Sequence, residues 1–590
     1  MNPTGRFDEI QKMLDAESPR PADLPIVYLF GDTGAGKTTI IRKLLGTEES
    51  KFPTTRQTRT TVAPTEYVIC KREGFDITVV LKPAGEVRGY VEEILSAAII
   101  KFQENQNTEE LLRNLRQTSD QKFRLYYLLT PEFQKQIVAH IVEFSGFIRK
   151  RVRELRDEFP DAEEETGVFV ELALDNSEPY RALQDDVMAG IQQQIARVCE
   201  GMQLTENFQT YKYKNIAREQ FVSKCKEILS SESNSISPVI QYARIHGNLA
   251  ARWLDGGMEV VIIDGEGIGH NAREVGGDQL DARHYDYFYQ SDAILLIEES
   301  KKPFNAGGKS ALKNAFKRGS GGKLFVLFTK LDEVAPYDAE ALTEQARIHE
   351  VKDGFENTLA ALKQEGIEIK LPDERIFYFG WLQTMGTEEP AIKGMKRLLS
   401  CVRKMSRRRQ RFVEPRYDYE MLSAFLVKST EQFNQIYNAR LDCEHWSTVK
   451  AFNRRMVGGS EEGFKMFMPV SDLENEINEE IGPFLSKPVS WSQEVSDTLK
   501  KESVAHVLTE FTKLVLGFAR RAIVAKPNQD WWESFKCRGV NSTFVRRKNI
   551  KEIFTQAVPP AAAAIGIVEF KDQIKHLIQE AVENCKKTLC

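Results

Sequence analysis

The feature that most constrains this chain lies near its start. Residues 25–30 read Pro-Ile-Val-Tyr-Leu-Phe, a short apolar run rich in strand formers. It leads directly into Gly31-Asp32-Thr33-Gly34-Ala35-Gly36-Lys37-Thr38, and then into a helical stretch, residues 38–45, that stops at Gly46 in C-cap position. Strand, GxxxxGKT and helix in that order are the pattern of a phosphate-binding loop. The chemistry explains each residue. Backbone N–H groups at a helix N-terminus can surround dense negative charge only if glycines bend the loop around it. Gly31, Gly34 and Gly36 supply the bends, with Asp32, Thr33, Ala35 and Thr39 completing the cradle. Lys37 brings a point charge to β- and γ-phosphates, and Thr38 a hydroxyl to Mg2+. A triphosphate is therefore the expected ligand. A second GKS, Gly308-Lys309-Ser310, follows no strand and reads as a flexible loop.

Three later boxes bear on which triphosphate. Residues 258–267, MEVVIIDGEG, read as a buried strand ending in Asp264-Gly265-Glu266-Gly267. Asp264 is placed to hold Mg2+ through water, and the Gly267 N–H to face the γ-phosphate. Residues 292–298 and 323–328 read as two more buried strands, the second ending in Thr329-Lys330-Leu331-Asp332. The Asp332 carboxylate would accept from guanine N1–H and the 2-amino group, a donor pair adenine lacks, while Lys330 lies along the base. A last strand, residues 375–379, leads into Gly380-Trp381, where a weaker base-contacting loop is expected. All four boxes fall at strand ends, where ligands bind in open α/β sheets.

GDTGAGKTT, DGEGIGH and TKLD resemble the signature boxes of the translation-factor-related class of P-loop GTPases, in its large dynamin-like, septin and immunity-associated branch. The resemblance covers about residues 22–85 and 238–400. It implies an α/β fold with a P-loop GTPase sheet, to which spacing and periodicity, read below, add a helical insertion between the switch regions and a helical C-terminal region. It implies GTP/GDP and Mg2+ as cofactors and GTP hydrolysis as the activity. It also implies a threonine on a loop that closes over Mg2+ and the γ-phosphate. In the threonine-rich stretch 52–67, Thr61 is the choice, with Thr60 second and Thr55 a third option. Arg59 or Arg56 is a candidate built-in arginine finger. Ras-like proteins carry a water-orienting glutamine directly after DxxG. Here that position is Ile268, so His270, Glu266, a switch backbone group or a partner has to place the water. Turnover is expected to be slow without a partner or dimerisation. The alternatives are a nucleotide-gated scaffold with negligible turnover, and a P-loop ATPase if TKLD is accidental.

The spacing from Thr61 to Asp264 is too long for a plain GTPase domain. Residues 65–83 read as a strand pair, after which the pattern is helical until about residue 235. Thr130-Pro131 looks like an N-cap with proline at the first helical position. Phe133, Ile137, Ile141, Phe144, Ile148, Val152 and Leu155 then form one apolar stripe, and Leu183, Val187, Ile191, Ile195 and Val198 another. Residues 239–247 return the chain to the sheet. The expected divisions are 1–85 and 237–400 for the GTPase domain, 86–236 for the insertion and 401–590 for the C-terminal region. In the last, Phe425, Phe433, Ile436 and Tyr437 share a face, as do Phe570, Ile574, Leu577 and Ala581, while Trp531 and Trp532 read as core.

Composition narrows the setting. The formal net charge is -5, which gives no overall bias toward nucleic acid. The basic stretch 404–411 reads as a solvated helix end or linker. Eight cysteines are scattered without a Cys-x-x-Cys pair, and no run reaches the length of a spanning helix. A cytoplasmic setting is expected, with a protein partner or homodimer engaged through the GTPase face or the helical regions. The sequence supports neither a membrane surface nor a specific nucleic acid.

Overall fold

The computed structural model describes residues 5–47, 63–116, 123–160, 165–230, 233–251, 253–254, 259–265, 267–268, 280–335, 343–382, 389–407, 410–459, 464, 467–560 and 563–589. Its centre is a nine-stranded mixed sheet. The strands are β1 (Ile26–Gly31), β2 (Thr65–Ile69), β3 (Phe75–Leu81), β4 (Gln209–Ile216), β5 (Ile240–Gly247), β6 (Val260–Asp264), β7 (Ala293–Glu299), β8 (Leu324–Thr329) and β9 (Ile376–Tyr378). Their order is β4-β3-β5-β2-β6-β1-β7-β8-β9. From β6 to β9 every pairing is parallel. β2 turns antiparallel to β6, and β5, β3 and β4 extend that edge.

Both faces of the sheet are covered, which is why the central strands are apolar at nearly every position. Along β1, Val27 and Leu29 enter one core while Tyr28 and Phe30 enter the other. The first core holds the phosphate-loop helix Lys37–Leu45, the insertion helices and the helix Glu389–Ser406. The second holds the helices Arg6–Glu17, Ala282–Gln290, Ala306–Lys317 and Glu344–Gln364, together with the C-terminal helices. The expected α/β architecture with a helical C-terminal region is present. What the sequence did not disclose is that the insertion and the C-terminal region lie on opposite faces of one sheet.

Two local readings need correction. The segments 65–69 and 75–81 are strands but do not pair with each other, because β5 lies between them. The stretch 86–236 is mostly helical, yet it contributes β4 to the sheet edge. The expected stripes are largely buried: Ile137, Ile141, Phe144, Ile148 and Leu155 on Pro131–Glu158, with Phe133 and Val152 half-buried beside them, and Leu183, Val187, Ile191, Ile195 and Val198 on Glu178–Val198. Thr130 caps the first of these helices, its hydroxyl accepting from the Phe133 N–H at 3.2 Å.

Among the described residues, seven α-helices follow Glu389–Ser406: Val427–Cys443, Trp446–Val457, Pro469–Leu485, Asp497–Arg520, Asn528–Lys536, Ser542–Ala557 and Ala564–Leu589. Glu389–Ser406 itself crosses the expected division at residue 400. Of the two tryptophans, Trp531 is core and donates its indole N–H to Ile523 O at 2.7 Å, whereas Trp532 is exposed. Buried charge pairs fasten this region to the sheet. Arg318, just past Ala306–Lys317, grips Glu474 with bonds of 2.8 and 2.6 Å. Arg520 holds Asp286 in the same forked way. Both pairs suit guanidinium geometry, and removing one partner of such a pair would strand a buried charge. Among the described residues, no helix is long and apolar enough to cross a membrane.

Candidate functional site

The phosphate end is built from backbone. β1 ends at Gly31, where a Cβ would stand 2.2 Å from Ile297 O on the neighbouring β7. Gly34 and Gly36 have φ of 87° and 97°, the left-handed region that side chains disfavour. Gly36 is the N-cap of Lys37–Leu45 and supplies no side-chain cap, so the first amides of that helix are not claimed by a capping oxygen. The Lys37 ammonium donates to Gly31 O at 2.6 Å and to Asp32 O at 2.8 Å, across the loop's own mouth. Burial pushes the Lys37 pKa below its ordinary value, and Asp264, Asp32 and Glu298 oppose that push. Thr38 is buried beside it, and Thr39 occupies the same first turn.

The DxxG box docks onto this loop. Asp264 is buried at the end of β6, in register with Thr65 of β2. A Cβ on Gly267 would come 3.0 Å from the Thr33 hydroxyl and 3.5 Å from the Lys37 ammonium, so Gly267 lies directly against the phosphate loop. Ile268 N–H donates to Gly31 O at 3.1 Å, and its side chain is buried. The position that carries a glutamine in Ras-like proteins is therefore plugged by an apolar side chain. Thr61, Thr60, Thr55, Arg59, Arg56, Glu266 and His270 lie outside the described residues.

The segment around Gly308-Lys309-Ser310 is not a loop. It is the first turn of Ala306–Lys317, capped by Asn305, whose Oδ1 accepts from Gly308 N at 3.0 Å. The amide of the same Asn305 donates to the Asp32 carboxylate. Gly307 and Gly308 serve close approach rather than flexibility. A Cβ on the first would meet Asp32 Oδ1 at 2.9 Å, and one on the second Glu298 Oε1 at 2.3 Å. Glu298, near the end of β7, is buried and accepts from Phe304 N–H at 2.9 Å. Burial, chiefly, pushes its carboxyl up to about 8, with Asp32 adding to the push and Lys37 resisting it. Neither Asn305 nor Glu298 was singled out from the sequence. The only signal was an Asn before Ala-Gly-Gly, which suits a helix cap and a loop equally.

The base end is built from side chains. Thr329 closes β8 and joins the two ends, since its hydroxyl donates to Ala35 O in the phosphate loop at 2.5 Å. Lys330 follows with a left-handed φ of 56° and its ammonium 3.4 Å from Glu299. A 3-10 turn, Leu331–Glu333, then presents Asp332. From β9, Gly380 approaches so closely that a Cβ there would sit 3.3 Å from Asp332 N. Trp381 N–H donates to Asp332 Oδ1 at 2.6 Å. Arg347, on Glu344–Gln364, donates to Asp332 O at 2.7 Å and places its guanidinium 5.9 Å from the Trp381 ring centroid. The expected residues Gly31 to Thr39, Asp264, Gly267, Thr329, Lys330, Asp332 and Gly380 thus lie at the carboxyl ends of β1, β6, β8 and β9. Among the described residues, no group of three or more His, Cys, Asp or Glu side chains forms a metal cluster.

Comparison with known proteins adds little to this geometry. No protein-family model matches the chain, and no curated protein is similar to it. Solved structures do resemble it, among them two described as an oligomerised bacterial dynamin pair that provides a mechanism for long-range sensing and tethering of membranes. Each is 11% identical over 98% of this chain and 75% of the other, with TM-scores of 0.29 and 0.30. A similarity that shallow assigns neither family nor activity, so function has to come from the residues themselves.

Proposed function

We propose that the chain binds GTP through this site and hydrolyses it with Mg2+, passing nucleotide state to the helical regions. One observation carries the reading: four separate boxes, spread from residue 31 to residue 381, lie together at the carboxyl ends of β1, β6, β8 and β9. Amides of the phosphate loop and the Lys37 ammonium receive the phosphates. The Thr38 hydroxyl and the buried Asp264 carboxylate are oxygen donors of the kind Mg2+ prefers, and they sit beside the loop. Bound there, Mg2+ would neutralise charge building on the phosphate oxygens. Gly267 N–H faces the γ-phosphate, Thr61 serves as the switch hydroxyl, and Arg59 and His270 are candidates for positioning groups. Asp332 accepts from the guanine edge, with Lys330 and Gly380 beside the base.

The buried Ile268 favours slow turnover, because that side chain cannot orient water. Activation by a second copy or a protein partner then supplies the missing group. The same observation supports the second reading, a nucleotide-gated scaffold. One experiment separates these readings: titrate GTP and ATP by calorimetry, then measure phosphate release over a wide range of protein concentration. Tighter GTP binding, with turnover per chain rising with concentration, is expected. Equal or tighter ATP binding removes the guanine reading. Binding without multiple turnover at any concentration leaves the scaffold.

A further inference from the structure

Among the described residues at the base end, Trp381 is the large aromatic side chain that is substantially exposed, at 36%. Its backbone is left-handed, with φ of 53°. A bulky residue in that region is conformationally strained and persists only where its surroundings hold it, most often at ligand sites. Here the holders are visible. The Asp332 carboxylate accepts the Trp381 N–H at 2.6 Å, and the Arg347 guanidinium lies over the indole ring. Arg347 is itself fixed, donating to the carbonyls of Asp332 and Val334. Asp332, the group expected to read the base edge, therefore also sets the position of this ring. A base whose edge meets Asp332 has to lay its π-face against something nearby. Trp381 is bonded to that carboxylate through its own backbone, so its indole is within reach of the same base.

We propose that Trp381 is the platform on which the nucleotide base stacks. The inference rests on the nucleotide-binding reading above and specifies its base contact. Base–aromatic stacking is tolerant of base identity, so the platform contributes affinity while Asp332 supplies selection.

The test uses the full chain and four probes: GTP, GDP, ATP and inorganic tripolyphosphate. Trp381→Ala is expected to weaken GTP and GDP binding about tenfold and Trp381→Phe less than about threefold, the range a single stacking contact spans. Tripolyphosphate binding should be the same in all three proteins, which also shows that the phosphate site stays folded. Nucleotide should change the tryptophan fluorescence of the wild type, and Trp381→Phe should remove that change. Unaltered GTP affinity in Trp381→Ala overturns the proposal. So does an equal loss for tripolyphosphate, which would make the residue structural. The guanine reading fails separately: if ATP binds the wild type as tightly as GTP, and Trp381→Ala weakens both, the platform stands and base selection by Asp332 falls.

Discussion

The two ends of the proposed nucleotide site offer a ligand different materials. At the phosphate end the ligand is met by main chain, and what the sequence supplies is mostly the absence of side chains, at Gly31, Gly34, Gly36 and Gly267. At the base end it is met by side chains, Asp332, Lys330 and Trp381, each aimed by a contact from another element. The difference follows from the ligands. A phosphate is a compact charge that any ring of amides can satisfy. A base has to be told from other bases, which takes a directed acceptor and a surface of the right shape. Thr329 is where the two solutions touch.

The largest effect is expected at the phosphate end. Lys37→Ala should weaken GTP and tripolyphosphate alike by about a thousandfold, roughly 4 kcal/mol for one buried charge–charge contact, measured by calorimetry. If tripolyphosphate binding survives, the division between the two ends is wrong. Next is Asp332→Asn, which should cost GTP about a hundredfold through two charge-assisted bonds while leaving tripolyphosphate alone. The variant should instead prefer xanthosine triphosphate, and competition against labelled GTP would reveal it.

An effect on stability rather than on affinity separates the ends by pH. Glu298 beneath the phosphate loop has a folded pKa of about 8 against 4.5 for a free side chain. Between those values the folded chain holds a proton that the unfolded chain releases. Stability from this group is therefore present at low pH and is lost as pH rises through the window, by about 1.4 kcal/mol per unit. Glu298→Gln should flatten that slope in urea melts collected from pH 5 to 8, and parallel slopes would show that the carboxyl is not held neutral. The smallest effect is expected at the junction. Thr329→Val keeps the shape but removes the bond to Ala35 O, about 1 kcal/mol or a fivefold loss of GTP affinity. If tripolyphosphate binding falls along with that of GTP, the link to the phosphate loop matters more than local shape at the base end.

Much of this was readable in advance, and the boundary is physical. Gly31, Gly34, Gly36 and Lys37 could be recognised because the chemistry requires them at fixed spacing within one local segment. Gly46 and Thr130-Pro131 marked helix ends for similarly local reasons, and the structure has Gly46 left-handed at a C-cap and Thr130 capping. Gly308-Lys309-Ser310 misled, because a segment that no strand leads into was read as a flexible loop, whereas Gly307 and Gly308 open a helix. In the fold both allow the helix to sit against Asp32 and Glu298, neighbours that no local rule brings together. The strand pair at 65–83 misled in the same way, since β5 arrives from residue 240 to separate the two.

What the sequence determined by itself is local: a glycine-rich loop between a strand and a helix, strands buried on both sides, and an acid just past a strand end, to which the proposed function assigns the guanine edge. Each depends on residues a few positions apart. Only the tertiary structure decided that Ile268 is buried under the loop, that Trp381 stands strained beside Asp332, and that the insertion and the C-terminal helices cover opposite faces of one sheet. Those outcomes depend on which distant segments share a strand edge, and that is settled by packing the whole chain rather than by any one stretch of it.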